Sequence, residues 1–315
     1  MKCLITGSNG LIGAHLAEFL LGKGLQVFAT IRSSRQNLRG LEEKIHPVWC
    51  DITDSSAVTR VMTEVKPDRV FHLAAQSLPA RSWDDPETTL RVNVFGTLQV
   101  LEAVRKLRLD CTVVTIGSSA EYGTPDETVD RISEEARLAP SSPYGVSKVC
   151  SDLLSALYAQ AFGMKIIRVR PFFVVGPGWA ANACVDFSRR IVEVERGRAQ
   201  EISVGNLEAV RDLVDVRDAV QALWLLAEKG IPGEVYNLCS GQGHTIAAVL
   251  ERLILLSGRA IPVVRDPQKY RPLDTPVLVG DCNRLQNLGW QPEIPLEQTL
   301  ADILSFWRRV AATAA

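Results

Sequence analysis

The chain has 315 residues, 46% of them apolar, and its 35 basic and 36 acidic side chains leave a net charge of −1. That is enough apolar material for one large core or two closely joined ones, and the even charge balance excludes the basic field that a nucleic-acid partner needs. The seven cysteines, Cys3, Cys50, Cys111, Cys150, Cys184, Cys239 and Cys282, are never spaced as C-x-x-C, and the four histidines are dispersed. No disulfide framework and no metal site is therefore expected, and the compartment reads as reducing and cytoplasmic.

Short β-branched runs at 2–6, 26–31, 46–50, 69–73, 112–117 and 165–170 alternate with amphipathic stretches of helical length. This alternation predicts an α/β fold with a doubly wound parallel sheet, and such sheets bind ligands at the carboxyl ends of their strands. The first strand is expected to begin at Lys2 and meet a glycine turn at Gly7, so no secretory leader is expected. The longest apolar stretch, 222–227, is too short to span a bilayer, so no membrane partner is expected.

The first strand runs into Thr6-Gly7-Ser8-Asn9-Gly10-Leu11-Ile12-Gly13. Gly7 permits a tight turn, Gly10 lets the backbone approach a diphosphate, and Gly13 allows close packing. The helix that follows offers free N–H groups and a positive dipole end to the anion. The second strand ends in Arg32-Ser33-Ser34-Arg35, where an acidic residue would bind a free ribose hydroxyl. Two guanidiniums and two hydroxyls suit a 2′-phosphate, which points to NADP(H), with NAD(H) as the alternative. Asp51, just past the third strand, is a candidate adenine contact or a helix N-cap.

Further along, Thr115-Ile116-Gly117-Ser118-Ser119 closes a strand that should finish beside the cofactor. Tyr144 and Lys148 stand four residues apart and share one helix face. A free phenol titrates near pH 10, and a neighbouring ammonium is expected to bring Tyr144 down toward useful acid–base chemistry. Ser118 would hold a substrate oxygen and share its proton with Tyr144. After Arg170 the rhythm breaks: 171–178 reads as a loop, a helix pattern follows from about 186 to 196, and 235–238 reads as one more sheet strand.

Over essentially its whole length the chain resembles the extended short-chain dehydrogenases/reductases. The resemblance is carried by Thr6-Gly7-x-x-Gly10-x-x-Gly13, His72-Leu73-Ala74-Ala75, Asn93 before Phe95-Gly96-Thr97, the Ser118 segment with Tyr122-Gly123, Tyr144-x-x-x-Lys148, and Arg170-Pro171-Phe172. It implies a Rossmann unit of residues 1–171 and 207–240, and a smaller, discontinuous substrate unit of 172–206 and 241–315. It also implies that Leu11, Ile12, Ile52, Leu73, Ala74, Ala75, Asn93 and Pro171 join Tyr144 and Lys148 around the dinucleotide.

The second half is similar to enzymes of GDP-mannose metabolism through 204–212, 270–274 and 279–281, and above all to the GDP-4-keto-6-deoxy-mannose reductases, chiefly through 205–218 and 235–241. That likeness implies a GDP-sugar substrate held by Ser118, Ser119, Asn206, Arg211, Arg271 and Asp274, with Arg211 facing the diphosphate. It also implies a homodimer joined by helices around 88–105 and 144–162. The GDP-mannose dehydratases of the same group carry a glutamate, their extra acid/base, where this chain has Ala120. A methyl moves no proton, so reduction is favoured, although Glu121 stands one residue later. Phe173 and Val174 replace a polar asparagine position of many relatives. An epimerase and a non-catalytic NADP(H) sensor are the remaining readings.

Overall fold

The computed structural model describes residues 1–32, 36–125, 130–269 and 275–313. Ser33, Arg35, Arg271 and Asp274, which the sequence nominates as ligand contacts, lie outside the described residues. The expected strands form as β1 (Lys2–Thr6), β2 (Gln26–Ile31), β3 (His46–Trp49), β4 (Arg69–His72), β5 (Thr112–Ile116) and β6 (Ile166–Pro171). With β10 (Val235–Leu238) they make a seven-stranded sheet in the order β10-β6-β5-β4-β1-β2-β3. Every pairing in it is parallel. The chain leaves β1 toward β2 on one side and returns to β4 on the other, so the switch point lies between β1 and β4, where Thr6 is paired with His72. A crevice at the carboxyl ends of the strands opens at such a point.

Local chemistry explains where the flanking helices begin and end. Helix α1 (Leu11–Gly22) follows the glycine turn. Helix α2 (Ser55–Val65) starts at Asp54, whose carboxylate accepts the Ser56 and Ala57 N–H groups, and stops at Lys66 with a left-handed φ of 48°. The single helix expected around 88–105 forms in pieces: after α3 (Pro79–Asp84) come α4 (Pro86–Leu90), a π turn over Arg91–Phe95, and α5 (Gly96–Lys106). Helix α6 (Pro143–Phe162) has Ser142 as its cap, Pro143 in its first turn and Gly163 at φ 62° behind it.

Beyond β6 the loop expected over 171–178 contains a short strand, β7 (Phe173–Val175). It exists because β9 (Val210–Asp215) lies alongside as a partner. Helix α7 (Ala183–Glu195) and β8 (Ile202–Val204) come between them in the chain. Helix α8 (Val216–Lys229) follows β9, and its Leu223 shares the first core with Leu16 and Leu20 of α1. The segment 207–240 therefore divides: β9 pairs in a small sheet, while α8 and β10 serve the large one.

The small sheet is completed by β11 (Gly243–Thr245) and β13 (Val277–Leu278), and β12 (Val263–Arg265) pairs with β8. Helices α9 (Ile246–Ser257) and α11 (Leu296–Thr313) pack with α7 over a second core containing Phe187, Ile191, Leu250, Leu253, Ile303 and Trp307. Between them α10 (Asn283–Gln286) carries Leu285 back into the first core beside Trp290, whose indole N–H donates to the Asp218 carbonyl at 3.0 Å. No helix among the described residues is long and apolar enough to cross a membrane.

Candidate active site

The glycine turn is shaped by what a side chain would strike. Gly7 has φ 70°, and a Cβ there would stand 2.7 Å from the Ala74 nitrogen. At Gly13 a Cβ would reach 2.4 Å from the Gly7 carbonyl, so this glycine packs against the turn itself. Gly10 precedes α1 with no side-chain cap, and no acidic residue occupies the first turn, so the positive helix end is left for an anion. The turn is held from below by Ser8, whose hydroxyl donates to the Thr30 carbonyl at 2.7 Å. Asn37 clamps it from the side: its N–H donates to Asn9 Oδ1 at 2.9 Å and its amide to the Asn9 carbonyl at 2.8 Å. The same Asn37 bonds both backbone groups of Trp179, which ties the glycine turn to the loop after β7. Nothing in the sequence singled out Asn37, a polar residue in a loop.

Around the turn, Leu11, Ile12, Leu73, Ala74 and Ala75 are partly exposed, and Arg32 is exposed at the end of β2. Asp51 is not the cap of α2, which is Asp54. Its Oδ1 accepts the Thr53 N–H at 2.9 Å and the Thr53 hydroxyl at 2.8 Å. The Thr53 N–H is the main cause holding the Asp51 carboxyl below the usual range, and Arg32 and Arg91 act in the same direction. Ile52 is buried and fills the space over Gly96, where a Cβ would come within 2.5 Å of its Cδ1.

His72 links the turn to the helices beyond. Its Nδ1 lies 2.8 Å from the Thr6 hydroxyl and its Nε2 lies 3.1 Å from the Thr97 hydroxyl. The Thr97 hydrogen goes to the Asn93 carbonyl at 2.7 Å, so Thr97 must accept from Nε2–H. With the hydrogen of the neutral ring on Nε2, Nδ1 is bare and accepts the Thr6 hydroxyl, whose oxygen in turn accepts the Ala74 N–H. The imidazole is thus held neutral in one tautomer; burial, helped by Lys148, pushes its pKa down to about 3.

Asn93, nominated for the cofactor, is 2% exposed. Its amide Oδ1 accepts the Gln76 N–H at 2.8 Å, while Nδ2 donates to the Gln76 carbonyl and to Ser147 Oγ. Those bonds use the side chain to join the loop after β4 to α6. The π turn that places Asn93 at this crossing did not show in the sequence.

The nominated triad converges where β5 ends against α6. Ser118 acts on the Tyr144 phenol, easing its ionisation, and Lys148 Nζ lies 5.9 Å from the centre of the Tyr144 ring. The ammonium donates to the Ile116 carbonyl at 2.8 Å. Burial lowers Lys148 to about 8, against a smaller raising effect of Glu121. The sequence led to the expectation that Tyr144 would be lowered by its lysine. Instead burial pushes the phenol up to about 12, with Ser118 opposing the rise and Glu121 adding to it. Desolvation of a buried phenolate sets the direction here.

Glu121 itself turns inward. Its Oε1 accepts the Ser118 N–H at 2.7 Å, its Oε2 faces Arg170 Nε at 2.9 Å, and its side chain is 0% exposed. Ser118 in turn caps the short turn Ser119–Glu121, so the two side chains cap each other's backbone. Ser119 is buried in the same turn, and Pro171 is buried at the end of β6.

On the substrate side, Arg211 and Asp212 are both buried, which excludes a surface ion pair. Arg211 donates to the Val210 carbonyl at 2.8 Å, and its guanidinium lies over the Phe173 ring. Asp212 accepts N–H groups of Ser240, Gly241 and Gly280, and burial raises its pKa despite these donors. It ties together the segments that follow β10 and β13. Asn206 shapes its own turn by accepting the Glu208 N–H at 3.0 Å.

A glycine turn at a Rossmann switch point, with Ser118, Tyr144 and Lys148 gathered at the adjoining strand end, defines an enzyme of the extended short-chain dehydrogenase/reductase class. Residues 4–303 match the model of the family GDP-mannose 4,6 dehydratase, and the chain belongs to that family. It is 30% identical to the GDP-6-deoxy-D-mannose reductase of Pseudomonas aeruginosa, over 97% of either chain. It is 29% identical to a GDP-mannose 4,6-dehydratase of Vibrio cholerae, over 96% of this chain and 92% of that one. The solved structure of RMD from Pseudomonas aeruginosa complexed with NADPH superimposes with a TM-score of 0.86 at 29% identity, covering 98% of this chain and 99% of that one.

Proposed function

We propose that this enzyme reduces the 4-keto group of GDP-4-keto-6-deoxy-D-mannose with NADPH, giving GDP-rhamnose or its C4 epimer. The neighbourhood of Ser118 carries this reading. Dehydration needs an acid/base beyond the tyrosine, and the position that supplies it in the dehydratases holds Ala120 here. Glu121, next in the chain, is committed to the Ser118 N–H and to Arg170. Reduction needs one hydride and one proton donor, and Tyr144 serves as that donor.

NADPH, when bound, supplies the hydride. The cradle of Gly7, Gly10 and Gly13 below the uncapped α1 fits its diphosphate, since a Cβ at Gly7 or Gly13 would fill the turn. Arg32 puts a positive charge at the end of β2, with Ser33 and Arg35 next in sequence, and this favours the 2′-phosphate over NAD(H). Lys148 holds a ribose hydroxyl and keeps the positive charge beside Tyr144. Ser118 holds the sugar carbonyl oxygen. Arg211 and Asn206, with Arg271 and Asp274, would receive the GDP part.

The protein acts as a homodimer in this reading. Val146, Leu153 and Leu157 stand exposed on one side of α6, Phe95 is exposed at the head of α5, and a second copy would cover them. Its cysteines are free, which fits a reducing cytoplasm. The test offers GDP-mannose and GDP-4-keto-6-deoxy-mannose separately with NADPH and reads the products by NMR. Stoichiometric NADPH consumption with the keto sugar is expected, more weakly with NADH. Conversion of GDP-mannose without net cofactor use would establish the second reading, a dehydratase, which the family match favours.

A further inference from the structure

We propose that Glu121 is a positioning residue for the reduction: it fixes the backbone of Ser118 from inside the fold and serves as the buried counter-charge of Lys148. The inference deepens the reductase reading and rests on it for the role of Tyr144.

Three observations meet at one short segment. Lys148 donates to the Ile116 carbonyl at 2.8 Å, and Glu121 Oε1 accepts the Ser118 N–H at 2.7 Å. The residue between, Gly117, has no Cβ, and one built there would fall 2.2 Å from Glu121 Oε1. A glycine at this point thus opens the slot that the carboxylate fills. Cation and anion grip the same strand end, one on each side of the glycine.

The other groups facing Glu121 hold it in place. From β6, Arg170 presents Nε to its Oε2 at 2.9 Å. The same guanidinium donates to Asp152 Oδ2 of α6 at 2.7 Å and to the Tyr122 hydroxyl at 3.0 Å. Arg168 donates to the same Asp152 oxygen at 2.8 Å. Burial and then the Asp152 charge push the Glu121 carboxyl up to about 8, against the lowering effects of Arg170, the Ser118 N–H and Lys148, so the carboxylate forms as pH rises through that value. The effect on the triad has a definite sign. An ionised Glu121 favours the Lys148 ammonium and opposes a Tyr144 phenolate. In that ionised form it keeps the phenol protonated, the form that donates to a carbonyl, and keeps the lysine charged.

The experiment uses the full-length protein labelled with 13Cε-lysine and follows the Lys148 resonance, identified by its loss in Lys148→Met. Wild type should titrate near 8. Glu121→Gln keeps an amide oxygen for the Ser118 N–H but removes the charge, and Lys148 should then titrate about one pH unit lower. Gly117→Ala pushes the carboxylate out of its slot and should move Lys148 in the same direction while lowering kcat more than it raises KM. It also covers the case in which the glutamine variant does not fold. An unmoved Lys148 titration in the folded variants overturns the proposal, because a merely structural Glu121 would affect melting and not this resonance. The titration requires no turnover, so a protein that fails to reduce the keto sugar sinks the reductase reading without deciding this one.

Discussion

Arg211 holds its guanidinium carbon 5.7 Å from the centre of the Phe173 ring. The aromatic residue that departs from the relatives' asparagine thus has a partner, and the partner is the arginine nominated for the diphosphate. A cation over an aromatic face is worth about 0.5–2 kcal/mol, so Phe173→Leu should raise KM for the GDP-sugar about twofold to thirtyfold while leaving kcat nearly unchanged. Steady-state kinetics checks this. An unchanged KM would mean that the ring does not aim Arg211.

Tyr144 is the proton donor of the proposed reduction, and Ser118 beside its hydroxyl eases its ionisation. Tyr144→Phe keeps the ring and removes that hydroxyl. Loss of a general acid costs about 100- to 10,000-fold, so kcat should fall by that much while NADPH binding, followed by fluorescence, stays near wild type. Retention of most activity would remove the donor role.

The pH dependence follows from Lys148, lowered by burial to about 8. The ammonium is lost as pH rises through that value. If it holds a ribose hydroxyl, kcat/KM for NADPH, which reports the cofactor-free enzyme, should be level below pH 8 and fall above it. A plateau extending past pH 10, the ordinary range of a lysine, would contradict the buried, perturbed ammonium.

Two glycines of α1 separate a functional turn from an incidental one. A Cβ on Gly13 would meet the Gly7 carbonyl at 2.4 Å, whereas one on Gly22 has nothing within 4 Å. Gly13→Ala should cost about 1–3 kcal/mol by overpacking and abolish measurable NADPH binding. Gly22→Ala should be neutral or stabilise by up to about 1 kcal/mol through helix propensity. Melting curves and nucleotide titrations of both variants compare them directly.

Leu153 and Leu157 on α6 are each 55% exposed. If a second copy covers them, charging both with glutamate should convert a dimer to a monomer in light scattering at micromolar concentration. A wild-type monomer, or a double variant that stays dimeric, would place the interface elsewhere or nowhere.

The sequence by itself determined the alternation of β1 to β6 with helices, the turn at Gly7–Gly13 and the shared face of Tyr144 and Lys148. Each of these is a local pattern: a strand period, a glycine spacing, a four-residue step along a helix. Partners distant in the chain decided the rest. β7 is a strand only because β9 lies beside it. Asn93 became a tether because Gln76 and Ser147 come within its reach. Glu121 faces inward because Arg170 and the gap at Gly117 receive it. Tyr144 is harder, not easier, to ionise than a free phenol, since desolvation depends on every element packed around it and no spacing along the chain reports that sum.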